Sequence, residues 1–140
     1  MKNAIVTVIG IIGSFIASML GGWDSALITL LIFMGADYIT GLIVAGIFKK
    51  SNKSDNGGLE SKAGWKGLTR KGMTLLIVLV AARLDLLLDA SYIRDAVCIA
   101  FIANETISIV ENAGLMGVPI PKVITNAIAV LKNKNKDNEE

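Results

Sequence analysis

The chain has 140 residues, 53% of them hydrophobic and 19% charged, with a mean hydropathy of +0.60 and a formal net charge of +2. Soluble domains carry about a quarter charged residues, so this balance excludes an ordinary soluble globular domain, and the length leaves no room for a second one. Histidine is absent and Cys98 is the only cysteine, which excludes imidazole acid–base catalysis, a histidine or thiolate metal centre and an intramolecular disulfide.

The apolar residues come in long blocks rather than in the alternation of a soluble sheet. The fold class is therefore all-α: a polytopic membrane protein with three or four transmembrane helices plus a short C-terminal amphipathic helix. The expected division is a transmembrane helical domain at 1–113 with a basic loop at 49–72, a proline-started amphipathic segment at 114–132 and a polar disordered tail at 133–140.

The first block, 4–20, carries no charge and ends at Gly21-Gly22. At about 17 residues it is at the short end for crossing a bilayer. Gly10, Ser14, Ser18 and Gly22 recur at every fourth position, and Gly13, Ala17 and Gly21 form a second row beside them. Small residues spaced this way let helices approach closely in lipid, so the first row is read as a helix-packing face. The bland alternative is that glycine and alanine are simply frequent in membrane helices. Lys2 before an apolar core matches the start of a signal peptide, but no clean small-x-small cleavage site follows, and the block is read as retained.

The second block, 26–48, is long enough to cross with some tilt. Asp37 stands near its centre, where a carboxylate costs about 2.5–3.5 kcal/mol to insert. Thr40, Gly41 and Ala45 lie on nearly the same helix face, so that face meets another helix or water rather than lipid. Two roles stay open for Asp37: a hydrogen-bonded group within a helix interface, or a group on a water-filled path.

Residues 49–58 are polar and glycine-rich, which marks a mobile linker. Residues 61–71 are basic around Trp65, a combination suited to the headgroup zone. Nucleic-acid binding is the competing reading of these cations, but no folded reading module accompanies them. The third block, 73–88, contains Arg83 and Asp85; Arg83 is read as reaching back to the interface rather than as half of a deep ion pair. The fourth block, 91–112, ends in the run from Asn104 to Asn112. Wound at about 100° per residue, Asn104, Glu105, Ser108, Glu111 and Asn112 fall within an arc of about 120°. Ile99, Ile102, Ile107, Ile109 and Val110 lie outside it, so one helix has an oily side and a stripe of carboxylates and amides. Gly114, Gly117, Pro119 and Pro121 then end the helix and turn the chain. In the amphipathic segment beyond, Ile120, Val123, Ile124, Ala127, Ile128 and Leu131 share one side.

The 49–72 connection holds seven basic residues: Lys49, Lys50, Lys53, Lys62, Lys66, Arg70 and Lys71. Lys122, Lys132, Lys134 and Lys136 follow the fourth block. Positive loops stay in the cytoplasm. Four crossings put both regions and Lys2 on that side and leave Arg94 as the one clear basic residue opposite. Three crossings move only the N-terminus to the other side.

No catalytic constellation is visible: there is no phosphate-cradling glycine loop, no Ser/His/Asp set and no metal-ligand spacing. Asp37 with Glu105 or Glu111 lacks the local context of an intramembrane aspartyl protease. No cofactor is expected, and Cys98 reads as a small buried apolar residue.

Five short motifs occur in order: Gly22-Trp23-Asp24-Ser25-Ala26-Leu27, Asp37-Tyr38-Ile39-Thr40-Gly41, Gly64-Trp65-Lys66-Gly67-Leu68, the run Asn104-Glu105-Thr106-Ile107-Ser108-Ile109-Val110-Glu111-Asn112, and Gly117-Val118-Pro119-Ile120-Pro121. Together, over roughly residues 20–125, they resemble the phage holin family that includes the clostridial toxin-secretion holins. That family is generally described with three spans. The resemblance implies a homo-oligomer in the bacterial cytoplasmic membrane that opens large non-specific lesions and lets an endolysin or toxin out, triggering host lysis. The partners it implies are other copies of the chain, membrane lipid and that cargo, with no nucleic acid. Asp37, Thr40, Gly41, Asn104, Glu105, Ser108, Glu111 and Asn112 are then the pore-lining or helix-interface candidates, and Gly10, Ser14, Ser18 and Gly22 the packing candidates. Two other readings compete: a small ion or solute channel or transporter subunit using Asp37 and Glu105, and a membrane scaffold that conducts nothing.

Overall fold

The computed structural model describes residues 1–137, and among these the fold is all-helical. Helix α1 covers Lys2–Met19 and α2 covers Ser25–Ile43, with a π-helical turn, Val44–Phe48, continuing α2. Then come α3 (Ser61–Leu88), α4 (Ile93–Leu115) and α5 (Lys122–Asp137). Two stretches, Lys2–Met19 and Ser25–Phe48, are long and apolar enough to cross a membrane. Helices α3 and α4, at 28 and 23 residues, extend about 42 and 35 Å at 1.5 Å per residue, but both carry charges within that length.

Helices α2, α3 and α4 pack together as the centre of the fold. Each turns one row of residues inward at the three-four spacing of a helix. On α2 the buried row is Leu27, Leu30, Met34 and Asp37. On α3 it is led by Val78, Ala81 and Ala82, and on α4 it includes Arg94, Cys98 and Asn112. The apolar members of these rows, with Ala17 and Leu20 from the end of α1, form the core. Cys98 is fully buried there, as a small apolar residue would be. Helix α5 packs on α4 and buries Ile128.

Two expectations change. Residues 61–72, read as loop, are the first three turns of α3. Their glycines weakened the helical signal, but two of them face α2: an added Cβ would stand 3.4 Å from Tyr38 Oη at Gly64 and 3.7 Å from the Tyr38 ring at Gly67. The glycines mark a close helix approach there, and Tyr38 Oη donates to the Gly64 carbonyl at 3.3 Å. Residues 133–137, read as disordered tail, continue α5; residues 138–140 lie outside the described residues. The small-residue row of α1 meets no helix of its own chain. A Cβ at Gly10 or Gly13 would touch nothing within 4 Å, and Ser14 and Ser18 are exposed. Gly22, the fourth member, lies beyond the helix with a φ of +97°.

Candidate functional site

The inward rows of α2, α3 and α4 are polar at one end, and the polar ends meet. Lys71 Nζ lies 2.8 Å from Asp37 Oδ2 and 2.8 Å from Glu105 Oε2. Ser108 Oγ donates a short hydrogen bond to the other Asp37 oxygen. The Asn112 amide donates to that same Oδ1 at 3.1 Å, to the Asp37 carbonyl at 3.3 Å and to Thr40 Oγ1 at 2.9 Å. Thr40 is itself anchored, donating back to the Ala36 carbonyl at 2.8 Å. Glu105, Ser108 and Asn112 reach one carboxylate because they recur at three and four residues along α4. Asp37 thus accepts from groups on two other helices at both of its oxygens, which is how a carboxylate in an apolar bundle is kept.

Of the residues singled out from the sequence, Asp37, Thr40, Glu105, Ser108 and Asn112 are joined in this network. Gly41 lies beside it, 3.9 Å from the Asn112 amide when a Cβ is added. Asn104 and Glu111 are exposed and lie on the wall of an adjoining half-open cavity of about 760 Å³. That cavity is bounded by α2, the start of α3, the 49–60 segment and α4, and its wall mixes Lys53, Lys66 and Arg70 with Glu60 and Glu111. Sequence reasoning missed Lys71. It sits among six other cations in sequence, and nothing local separates it from them. The available signal was indirect: two carboxylates in apolar blocks require a cation, and Lys71 is the last one before the third block begins.

A second polar cluster holds the opposite end of the bundle. Arg94, buried in the first turn of α4, reaches across to the α1–α2 connection. Its Nε donates to the Leu20 carbonyl, one terminal nitrogen to Gly22 O at 3.0 Å, and the other to Asp24 Oδ2 at 2.6 Å. Asp24 also caps α2, its Oδ1 accepting from Leu27 N at 3.0 Å. The Arg94 guanidinium holds the Asp24 carboxyl below the usual aspartate range, against the opposing effect of partial burial. Asp85, near the end of α3, accepts from the Ile93 and Arg94 amides at 3.0 Å each and so caps α4. Sequence reasoning had placed Arg94 on the side opposite the basic loops but had not joined it to Asp24. Arg83, by contrast, is exposed.

Along α2 the two clusters are 13 residues apart, Asp24 to Asp37, or about 20 Å of helix; along α3, Asp85 to Lys71 gives about 21 Å. An apolar core lies between two polar fastenings. This defines a small helical membrane protein with two clusters of polar side chains turned inward and matched within one chain. The chain belongs to the bacteriophage holin family, whose model matches residues 14–133. A probable holin of Bacillus phage phi105 is 37% identical over 105 residues, covering 74% of this chain and 72% of that one. An uncharacterised protein of Clostridium perfringens is 41% identical, covering 89% of this chain and 87% of its own. A Listeria innocua protein is 37% identical, covering 97% and 94%. No solved structure matches the chain.

Proposed function

We propose that the protein acts as a holin: it accumulates in the bacterial cytoplasmic membrane, assembles with copies of itself, and opens large non-specific pores that release an endolysin or toxin and trigger lysis. The observation that carries this reading, beside family membership, is the Asp37–Lys71–Glu105 cluster. A pore wall needs a polar face toward water, and a harmless early state needs the same face hidden. In the single chain the inner part of the α4 stripe is turned into the bundle: Glu105 is matched by Lys71, and Ser108 and Asn112 bind Asp37, while Asn104 and Glu111 stay on the cavity wall. Exchanging those contacts for water and for neighbouring copies exposes a ready-made polar wall, while the Met73 to Leu87 face of α3 stays apolar.

Helix α1 supports the assembly step. Ile5, Ile9, Ile12, Phe15 and Ile16 are all more than half exposed, and the Gly10, Ser14, Ser18 row is unfilled, so α1 is open to lipid and to a second copy. We place four helices, α1 to α4, across the membrane, with both termini and the basic start of α3 in the cytoplasm. Inducing the protein in bacteria and following a cytoplasmic enzyme in the medium tests the function. Abrupt release of whole proteins is the expected result. Graded ion flux without protein loss would replace the holin by a channel, and neither would leave a scaffold.

A further inference from the structure

Helix α3 carries one continuous exposed stripe, facing away from α2 and α4 along most of its length, with Lys66 and Arg70 at the rim of the cavity described above. Its first part is Lys62, Trp65, Lys66, Thr69 and Arg70, all exposed and lining a shallow concavity. At the same three-four spacing the stripe continues as Met73, Leu76, Ile77, Val80, Leu84 and Leu87, also exposed. The change from basic to apolar falls within one turn, between Arg70 and Met73. The basic part is about 12 Å long and the apolar part about 21 Å, against a hydrocarbon core of about 30 Å flanked by headgroup layers. Arg83 stands about 20 Å beyond Arg70, toward the far interface. The neighbouring acid, Glu60, is turned to the linker, where its Oε1 accepts from the Asp55 amide at 3.2 Å.

A helix face whose apolar length suits acyl chains, and whose next turns present three cations around an exposed tryptophan, has the chemistry of the lipid interface itself. We infer that Lys62, Lys66 and Arg70, with Trp65 between them, seat the phosphate headgroup of an anionic phospholipid whose chains lie along Met73 to Leu87. The inference rests on α3 spanning the membrane, and it adds a ligand class, a glycerophospholipid of net negative charge. Charge complementarity and the unbroken join to the apolar stripe favour this occupant over a soluble anion, which would have no use for the apolar continuation.

Native mass spectrometry of the full-length protein in detergent, supplied with equal phosphatidylglycerol and phosphatidylcholine, tests it. The wild type is expected to retain phosphatidylglycerol in preference, and the Lys62→Gln/Lys66→Gln/Arg70→Gln variant to lose that preference by about fivefold for each cation removed. The Lys49→Gln/Lys50→Gln/Lys53→Gln variant, with the same charge change off the stripe, is expected to keep it. Circular dichroism checks that both variants retain wild-type helicity, and Lys62→Arg/Lys66→Arg provides a charge-conserving version expected to keep the preference. Equal retention of the two lipids by the wild type, equal loss in both triple variants, or displacement of the lipid by excess inorganic phosphate or a short oligonucleotide would each overturn the site. Protein release on induction is a separate readout, so a failed lipid site and a failed holin reading are told apart.

Discussion

Lys71 Nζ lies 2.8 Å from Asp37 Oδ2, although 34 residues separate them, and this one ammonium also reaches Glu105 at 2.8 Å. Two carboxylates from α2 and α4 share one cation from α3, so the pairing ties all three central helices at one level. Removing one member of a buried ionic group leaves an uncompensated charge and costs about 3–5 kcal/mol. Lys71→Met is therefore expected to lower the protein's thermal stability in detergent more than Asp37→Asn, which leaves Lys71 paired with Glu105. The triple change Lys71→Met/Asp37→Asn/Glu105→Gln should recover most of the loss, because it removes the charges together. A Lys71→Met protein as stable as wild type would mean that the cation is not holding the bundle.

The same cluster predicts a functional phenotype. With Glu105, Ser108 and Asn112 held inward by Lys71 and Asp37, Asp37→Ala or Glu105→Ala weakens the hidden state relative to the assembled one. Lysis in an induced culture is expected earlier than wild type, with a changed distribution of cross-linked oligomers. Should both variants lyse on schedule with unchanged oligomers, the stripe serves packing alone.

Much of this cluster was legible in the sequence because helix geometry is regular. Glu105, Ser108 and Asn112 fall on one face by spacing alone, and a carboxylate at Asp37 in an apolar run demands a partner. The partner's identity was not legible, since Lys71 is distinguished from Lys66 or Arg70 only by which face of α3 turns toward α2. That face could not be assigned while residues 61–72 read as loop, and they read as loop because Gly64, Gly67 and Gly72 lower helix propensity. What overrides propensity is tertiary: Tyr38 packs against the first two glycines. The Arg94 cluster was hidden for a similar reason, as its acceptors include the Leu20 and Gly22 carbonyls, which no side-chain pattern announces.

Gly21 makes the second fastening sensitive to a single methyl group. Its φ is +97°, and an added Cβ would clash with Arg94 Nε. Gly21→Ala is thus strained in its backbone and displaces the guanidinium from the Leu20 carbonyl. A loss of about 1–3 kcal/mol is expected, seen as a lowered melting temperature in detergent. Gly10→Ala, which meets nothing in the chain, should leave that temperature unchanged while reducing the oligomer fraction if α1 meets a second copy through this row.

Asp24 gives the fastening a pH dependence of definite sign. Its carboxyl is held below the usual aspartate value, first by the hydrogen bond from Arg94. A group depressed in the folded state adds stability that is fully present above its unfolded value and is lost as pH falls through the folded one. The Arg94 contact therefore persists through neutral and mildly acidic pH and opens only below the ordinary aspartate range. Because the Asp24 side chain is 47% exposed, the effect is modest and screened by salt. Asp24→Asn should flatten the acid limb of a stability–pH curve in low salt; an unchanged limb would assign acid sensitivity to other groups.

The proposed topology is consistent with where the two fastenings lie. The Arg94 cluster joins the α1–α2 turn to the α3–α4 turn, so these connections are on one side of the bundle. The basic start of α3 and the α4–α5 connection lie at the other end of their helices. In the topology we propose, the excess of Lys and Arg there puts that end in the cytoplasm. If α1 crosses the membrane, its N-terminus returns to the cytoplasmic side. A short tag at Met1 is then expected to be inaccessible to labelling in intact cells and accessible after permeabilisation, as is a tag after residue 137. Labelling of the N-terminal tag in intact cells would instead leave three crossings, α2 to α4, with α1 lying on the outer face and the two fastenings unchanged.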